Sequence, residues 1–301
     1  MREGTFAVSF LAVALIVCGV ICYTGQSFFN KLYSISYTGP AVAATPVFAT
    51  IYGFFTGLVT LAYNGFQFQA SSMTLWLGLA NGVVLFLFNL CAINAARSGP
   101  YAFQSLMCLS GDILVPLFFS VLWWRDKLPA LKIVGIAVML LSFVLFNRNG
   151  FQFEGAKKGY FLWVMALFAV NGVYGVLIDS QQRLLLQTER NEMIITTFVV
   201  SAIVSLIYLL AVQGKLFVGA FSMPKKTWAF AFGSSIFAAA AVNLLMISLA
   251  NVQTSILYSV ENGGVLIMST LLSAVVLKEK LNRNMIIGIA VAVVSLVLLS
   301  I

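Results

Sequence analysis

Apolar residues run through this chain in long blocks that are separated by short polar or charged stretches. A transmembrane helix needs about 20 mostly apolar residues, and each block reaches about that length. The ten blocks cover residues 6–30, 41–63, 73–96, 101–124, 129–147, 159–180, 193–213, 227–249, 253–277 and 284–301. The first block continues past Cys22 to Ser27 without a small-residue cleavage site, which favours a first span over a signal peptide. The pattern predicts an all-α integral membrane protein with ten transmembrane helices.

Composition supports this prediction and narrows the chemistry. Of 301 residues, 61% are hydrophobic and 9% are charged, against roughly 45–50% and about 25% in a soluble domain. The chain has no histidine, which removes the commonest acid/base group and metal ligand. The four cysteines lie inside apolar blocks without a metal-binding spacing. We therefore expect no metal and no cofactor, and an enzyme is disfavoured because no nucleophile with a base is found.

The two halves of the chain are similar to each other. At an offset of 153 positions, residues 125–128 (RDKL) align with residues 278–281 (KEKL), and Gly111 aligns with Gly264. At an offset of 154, Asn89 aligns with Asn243. The halves, residues 1–150 and 151–301, each hold five predicted spans, so the second half enters the membrane from the opposite side. This arrangement predicts two inverted five-helix repeats, a plan that transporters use for alternating access.

Several segments resemble a known transporter family. Residues 25–31 (GQSFFNK) and 172–178 (GVYGVLI) are similar to its signature at the first span of each repeat, and residues 116–147 and 269–300 are similar to its repeat ends. On these segments the chain resembles the drug/metabolite transporter superfamily, specifically its ten-span EamA type. The resemblance implies a small-metabolite transporter whose cavity is lined by the first four spans of each repeat. Substrate does not transfer with a fold.

Two acidic residues at membrane depth are the leading functional candidates. Glu261 lies in the ninth predicted span and Asp112 in the fourth. An ionisable group at this depth costs roughly 2.5–3.5 kcal/mol on insertion scales and normally faces a cavity or a partner. One of the acids can bind a substrate ammonium group or a coupling proton. The alternative is that each is protonated or paired and serves only helix packing.

Further polar and aromatic residues form a second tier of candidates. Lys31, near the end of the first span, can hold a carboxylate or phosphate, or it can extend to the membrane surface. The amides either line the pathway or hold helices together, and the aromatics, which the resemblance places around the cavity, either contact a ligand or pack. The remaining candidates are Gln26, Asn89, Gln104, Asn171 and Asn243, with the aromatics Tyr101, Trp163, Tyr174 and Tyr258.

These features together predict a secondary transporter for a small polar metabolite, with an amino acid or amine favoured. The alternatives are a proton-coupled exporter of cationic drugs and, from another class, a membrane channel or structural membrane protein. The expected partners are the substrate, the lipid bilayer and protons, with no nucleic acid, and the chain is a monomer or homodimer. We expect a multi-pass protein of the cell membrane. Eleven basic residues lie on the side opposite the termini and six on the side of the termini. Because basic residues are enriched on the cytoplasmic side, this count favours external termini. The resemblance implies cytoplasmic termini, and we adopt that orientation.

Overall fold

Every regular element in the described part of the chain is helical. The computed structural model describes residues 10–125, 129–146, 156–185, 188–214, 217–249, 254–279 and 281–300. The helices are α1 (Phe10–Ser36), α2 (Ala44–Tyr63), α3 (Ser72–Ser98), α4 (Tyr101–Phe119), α5 (Ala130–Phe146), α6 (Tyr160–Leu184), α7 (Arg190–Gln213), α8 (Phe217–Ala220), α9 (Lys225–Leu249), α10 (Thr254–Val275) and α11 (Arg283–Ser300). The all-α prediction is confirmed for these residues.

Six of the described helices are long and apolar enough to cross a membrane. They are Ala41–Tyr63, Ser72–Ser98, Tyr101–Trp124, Tyr160–Gln181, Arg190–Gln213 and Lys225–Leu244. Two apolar helices, Ala130–Ser142 and Arg283–Leu299, are shorter. Large apolar side chains stand on the outer surface, such as Trp76 at 70% and Leu122 at 81% exposure. Such a surface is suited to lipid, and with the six helices it indicates a membrane-embedded protein.

Eight of the helices pack as two groups of four. In the group that we call the first bundle, α1 packs on α9 and α10, and α2 packs on α9. In the second bundle, α6 packs on α3 and α4, and α3 packs on α7. The bundles meet where α2 contacts α7, where α1 contacts α3 and where α4 contacts α10, while α5 and α11 pack on each other at the side.

Glycines bring α4 and α6 into very close contact inside the second bundle. A Cβ atom added at Gly111 would lie 2.2 Å from the Phe168 carbonyl oxygen, and one added at Gly172 would lie 2.2 Å from Cβ of Val115. Only a residue without a side chain permits this approach. The two helices are therefore held at a fixed separation beside the residues of the candidate site.

The end of α4 departs from a regular helix. Pro116 lies inside α4, and the chain then widens into a π turn over Ser120–Trp124. A proline removes one backbone hydrogen bond from the helix, which allows such a local adjustment. The turn ends at Arg125, which has a left-handed backbone with φ 55°. The predicted span is thus continuous through its proline.

Candidate functional site

The two acids singled out from the sequence lie on helices that contact each other. Asp112 is in the middle of α4, Glu261 is in the first half of α10, and the carboxylates interact electrostatically across the contact of the two bundles. Glu261 is only 5% exposed, and its Oε1 would be 3.2 Å from a Cβ at Gly19. Within the described residues, neither acid forms an ion pair with a lysine or arginine. Glu261 also interacts electrostatically with Arg190 at the start of α7. The site therefore holds two acids that no basic side chain of the described residues pairs directly.

A line of polar side chains continues from these acids across the bundle. Asp112 interacts electrostatically with Tyr174 on α6, and Tyr174 interacts with Tyr52 on α2. Gln26 on α1 then donates from Nε2 to the Tyr52 hydroxyl at 2.7 Å. We call the five residues Glu261, Asp112, Tyr174, Tyr52 and Gln26 the polar seam. The seam passes between the two bundles at the middle of several helices, where an apolar core would otherwise be expected.

Three of the buried amide candidates each keep one oxygen without a partner among the described residues. Asn89 and Asn243 each donate from Nδ2 to a carbonyl on their own helix, of Leu85 at 2.9 Å and of Ala239 at 2.7 Å. Gln104 on α4 donates from Nε2 to the Ala92 carbonyl at 3.2 Å. The Oδ1 atoms of both asparagines and the Oε1 of Gln104 have no hydrogen-bond partner among the described residues. Buried carbonyl oxygens of this kind are acceptors available to a polar ligand or to water.

Two further candidates have contacts that serve packing. Asn171 on α6 donates from Nδ2 to the Cys108 carbonyl at 2.8 Å and so ties α6 to α4. Trp163 is partly buried and packs against the apolar cluster that includes Phe103 and Leu106. Both contacts lie within the second bundle. They hold in place the face of α4 that carries Asp112.

Lys31 is buried and does not reach the surface. Its Nζ donates to the carbonyl oxygens of Ala96 at 2.5 Å and Gly99 at 2.9 Å, and it lies 3.9 Å from Oε1 of Glu279. Tyr101 lies beside it, with its backbone N–H donating to both oxygens of Glu279 at 2.9 Å. Lys31 therefore caps the end of α3, at some distance along α1 from the polar seam.

Tyr258 lies on α10 three residues before Glu261, and its side chain is outside the described residues. Asp179, near the end of α6, pairs with Arg183 at 2.8 Å, and both side chains are more than one-third exposed. This pair belongs to the surface at a helix end, as expected of a charge at the membrane interface.

Sequence reasoning missed two residues that the structure brings to these sites. Tyr52 joins Gln26 to Tyr174, although nothing in its sequence neighbourhood separates it from the other aromatics of α2. Glu279 was noticed only as part of the repeated loop. Its position between two lysines in a repeated motif was the signal for a role, but only the fold shows that it contacts α4.

Comparisons with known proteins identify the fold and no activity. No family model and no curated protein sequence matches the chain. The structure is similar to one described only as the crystal structure of a protein, with a TM-score of 0.64 and 16% identity, covering 95% of this chain and 97% of that one. At this identity the similarity shows a shared fold along nearly the whole chain. The class that fold and composition define is an all-α, membrane-embedded protein.

Proposed function

We propose that this protein is a secondary transporter of the drug/metabolite transporter type, which moves a small polar metabolite by alternating access. The observation that carries the proposal is the acid pair, Asp112 and Glu261, which interact electrostatically across the contact of the two bundles and form no ion pair with a basic side chain of the described residues, although Arg190 acts on Glu261. Buried charges normally require a partner. A cationic group of a substrate, or a proton, supplies one.

The packing of the helices supports ten spans in two inverted repeats. In this proposal α1 corresponds to α6, α2 to α7, α3 to α9, α4 to α10 and α5 to α11. The contact between α1 and α9 then corresponds to the contact between α6 and α3. In the same way, the contact between α1 and α10 corresponds to the contact between α6 and α4. Arg125 and Lys278, which align at the repeat offset, both have left-handed backbone, with φ 55° and 54°. Inverted repeats of this kind interchange two conformations around a central site.

The residues around the acids favour an amine or amino acid as substrate. Tyr174 lies beside Asp112, and an aromatic ring beside a carboxylate suits an ammonium group through a cation–π contact. The free amide oxygens of Asn89, Gln104 and Asn243 are further acceptors for the hydrogens of such a group. In this role the protein is a carrier in the cell membrane, with cytoplasmic termini, and carries out no bond-making chemistry.

Ligand binding by the purified protein tests the site. Thermal unfolding would be measured with L-amino acids, choline, sugar phosphates and ethidium, for the native chain, Glu261→Gln and Glu192→Gln. A ligand at 100 times its Kd stabilises a protein by about 2.7 kcal/mol. We expect an amine or amino acid to stabilise the native chain and Glu192→Gln, whose carboxylate accepts from Asn64 at the end of α2, and to have no effect on Glu261→Gln. Equal stabilisation of all three proteins would contradict the site.

Transport in proteoliposomes separates the carrier from its rivals. Uptake of the stabilising ligand that saturates and shows counter-exchange is expected of a carrier, whereas unsaturable flux would indicate a channel. Uptake of ethidium driven by a pH gradient and lost in Glu261→Gln would indicate a proton-coupled exporter of cationic drugs. If none of these probes crosses the membrane, a structural membrane protein is the remaining alternative and the proposal is overturned.

A further inference from the structure

Four chain segments converge on two charged side chains at the end of the molecule where α1 finishes. Lys31 of α1 donates to carbonyls in the last turn of α3 and just beyond it, of Ala96 at 2.5 Å and Gly99 at 2.9 Å. Glu279, which follows α10, accepts the first N–H of α4 from Tyr101 with both oxygens at 2.9 Å. The Ser273 hydroxyl also donates to Glu279, and Lys31 lies 3.9 Å from this carboxylate.

These contacts join the first bundle to the second. Lys31 is on α1 and Glu279 follows α10, on the side of the first bundle, whereas the backbone groups of Ala96, Gly99 and Tyr101 that they contact lie in or next to α3 and α4 of the second. Any movement that separates the bundles at this end must break the hydrogen bonds that Lys31 makes to Ala96 and Gly99 and that Glu279 makes to Tyr101. The contacts therefore depend on the relative position of the two bundles.

The two charges match the helix ends that they contact. A cation is favourable at the C-terminal end of a helix and an anion at the N-terminal end, because of the partial charges on the free carbonyl and N–H groups. Lys31 lies at the C-terminal end of α3, and Glu279 at the N-terminal end of α4. The side chains are 10% and 19% exposed, so separation would remove the α3 and α4 partners of both charges and leave Lys31 and Glu279 with each other and Ser273.

The polar seam lies below this contact on the same three helices. On α1, Gln26 precedes Lys31 by five residues; on α4, Asp112 follows Tyr101; and on α10, Glu261 precedes Glu279. The Tyr101 hydroxyl is buried and faces Ser27 and Ser105, one helical turn further into the bundle. The contact of Lys31 and Glu279 thus lies nearer to this end of the helices than the seam does.

We propose that Lys31 and Glu279 form an end latch that closes this end of the seam and is released when the carrier opens to that side. The proposal rests on the proposed carrier function, because it assigns the two residues to the conformational step of transport. Lys31 then acts on the access of the substrate and not on its binding. A static clamp would show the same contacts but would not control access to the seam.

Cysteine labelling in nanodiscs tests the latch without any transport assay. The four native cysteines would be replaced, and a single cysteine placed at Ser105, which is buried at 7% exposure beneath the latch. Glu279→Gln keeps the shape of the side chain but removes its charge. Because this variant loses hydrogen bonds to a charged group, we expect an impermeant maleimide to label position 105 about tenfold faster in it, which corresponds to about 1.4 kcal/mol.

Matched controls decide between the latch and its rivals. Ser273→Ala removes one hydrogen bond from Glu279 and should give a smaller increase, while Glu192→Gln, at the other end of the molecule, should give none. A reporter cysteine at Ser142, which is fully buried in α5, should stay unlabelled in every variant. An unchanged rate at position 105 in Glu279→Gln, or an equal increase at position 142, would overturn the latch. Saturable transport with unchanged labelling would reject the latch alone, and faster labelling in a protein without transport would reject the carrier function.

Discussion

Asn89 and Asn243 lie 154 positions apart and make the same contact. Each donates from Nδ2 to the carbonyl four residues earlier on its own helix, and each leaves a buried Oδ1 without a partner among the described residues. A buried acceptor without a partner costs about 1–3 kcal/mol. The same cost at two positions that align in sequence is explained if the two oxygens serve a ligand, since neither one holds two helices together.

Replacing these asparagines by leucine separates ligand binding from packing. Asn89→Leu and Asn243→Leu keep the branched shape and the number of side-chain heavy atoms and remove the unpaired oxygen, so we expect the free energy of unfolding to stay within about 1 kcal/mol of the native value or to rise. Uptake of the ligand found in the thermal screen should fall in both variants. Chemical or thermal unfolding and the uptake rate would be compared. Destabilisation by more than about 2 kcal/mol with normal uptake would show that the amides hold the bundle together.

The acid pair predicts that neutralising one carboxylate stabilises the empty protein. Asp112 and Glu261 interact as like charges across the α4–α10 contact, so Asp112→Asn and Glu261→Gln should each raise the unfolding temperature in the absence of ligand. The double variant should gain less than the sum, with a coupling energy of about 0.5–3 kcal/mol, because the second substitution has no repulsion left to remove. Strict additivity would show that the two acids do not interact.

The end latch predicts that exchanging its two charges does not restore it. A simple ion pair tolerates reversal, but Lys31 and Glu279 are also matched to the ends of α3 and α4. In Lys31→Glu with Glu279→Lys, a carboxylate would face the carbonyls of Ala96 and Gly99. We therefore expect the double variant to label at a Ser105 reporter cysteine at least as fast as Glu279→Gln. Recovery of the slow native labelling rate would show that the ion pair alone accounts for the latch.

The opposite end of the molecule has a contact that depends on pH. Glu189, just before α7, accepts from the N–H and the hydroxyl of Ser71, both at 2.8 Å. Hydrogen bonding lowers the pKa of Glu189 from its ordinary value of 4.5. The Thr74 hydroxyl makes the largest contribution, and the N–H and hydroxyl of Ser71 make smaller ones.

A carboxyl group whose pKa is lowered by folding stabilises the folded protein. This stabilisation is fully present above the ordinary pKa and is lost as the pH falls through the lower pKa of the folded state. We expect the unfolding temperature to decrease below about pH 4.5 in the native chain, and this decrease to be smaller in Glu189→Gln. Ser71→Ala removes the hydroxyl donor and should move the decrease toward higher pH. Identical pH profiles for the native chain and Glu189→Gln would contradict the assignment.

The helices could be predicted from sequence because each apolar block is long and its ends are marked by polar residues, as α3 shows from Ser72 to Ser98. Asp112 and Glu261 could be identified because a charge inside such a block is conspicuous. Lys31 shows the limit of this reasoning. Its burial depends on carbonyls that lie more than 60 positions away, and helix periodicity carries no information about contacts between segments so distant. The same holds for Tyr52, whose sequence surroundings are those of a packing residue.

Close packing of α4 on α6 predicts a large effect of a single methyl group. A Cβ at Gly172 would lie 2.2 Å from Cβ of Val115, so Gly172→Ala must push the two helices apart. We expect a loss of about 1–3 kcal/mol in the free energy of unfolding, together with weaker ligand binding, because α4 carries Asp112. Gly219→Ala is the matched control: no atom lies within 4 Å of its added Cβ, and the change should be neutral or stabilise by about 0.4–1 kcal/mol.

Gly19 aligns with Gly172 at the offset of 153 and offers a second test of close packing at the site. Its added Cβ would lie 3.2 Å from the Glu261 carboxylate. Gly19→Ala should therefore weaken ligand binding as Gly172→Ala does, and normal binding in both variants would argue that the contacts around the two acids do not form the site.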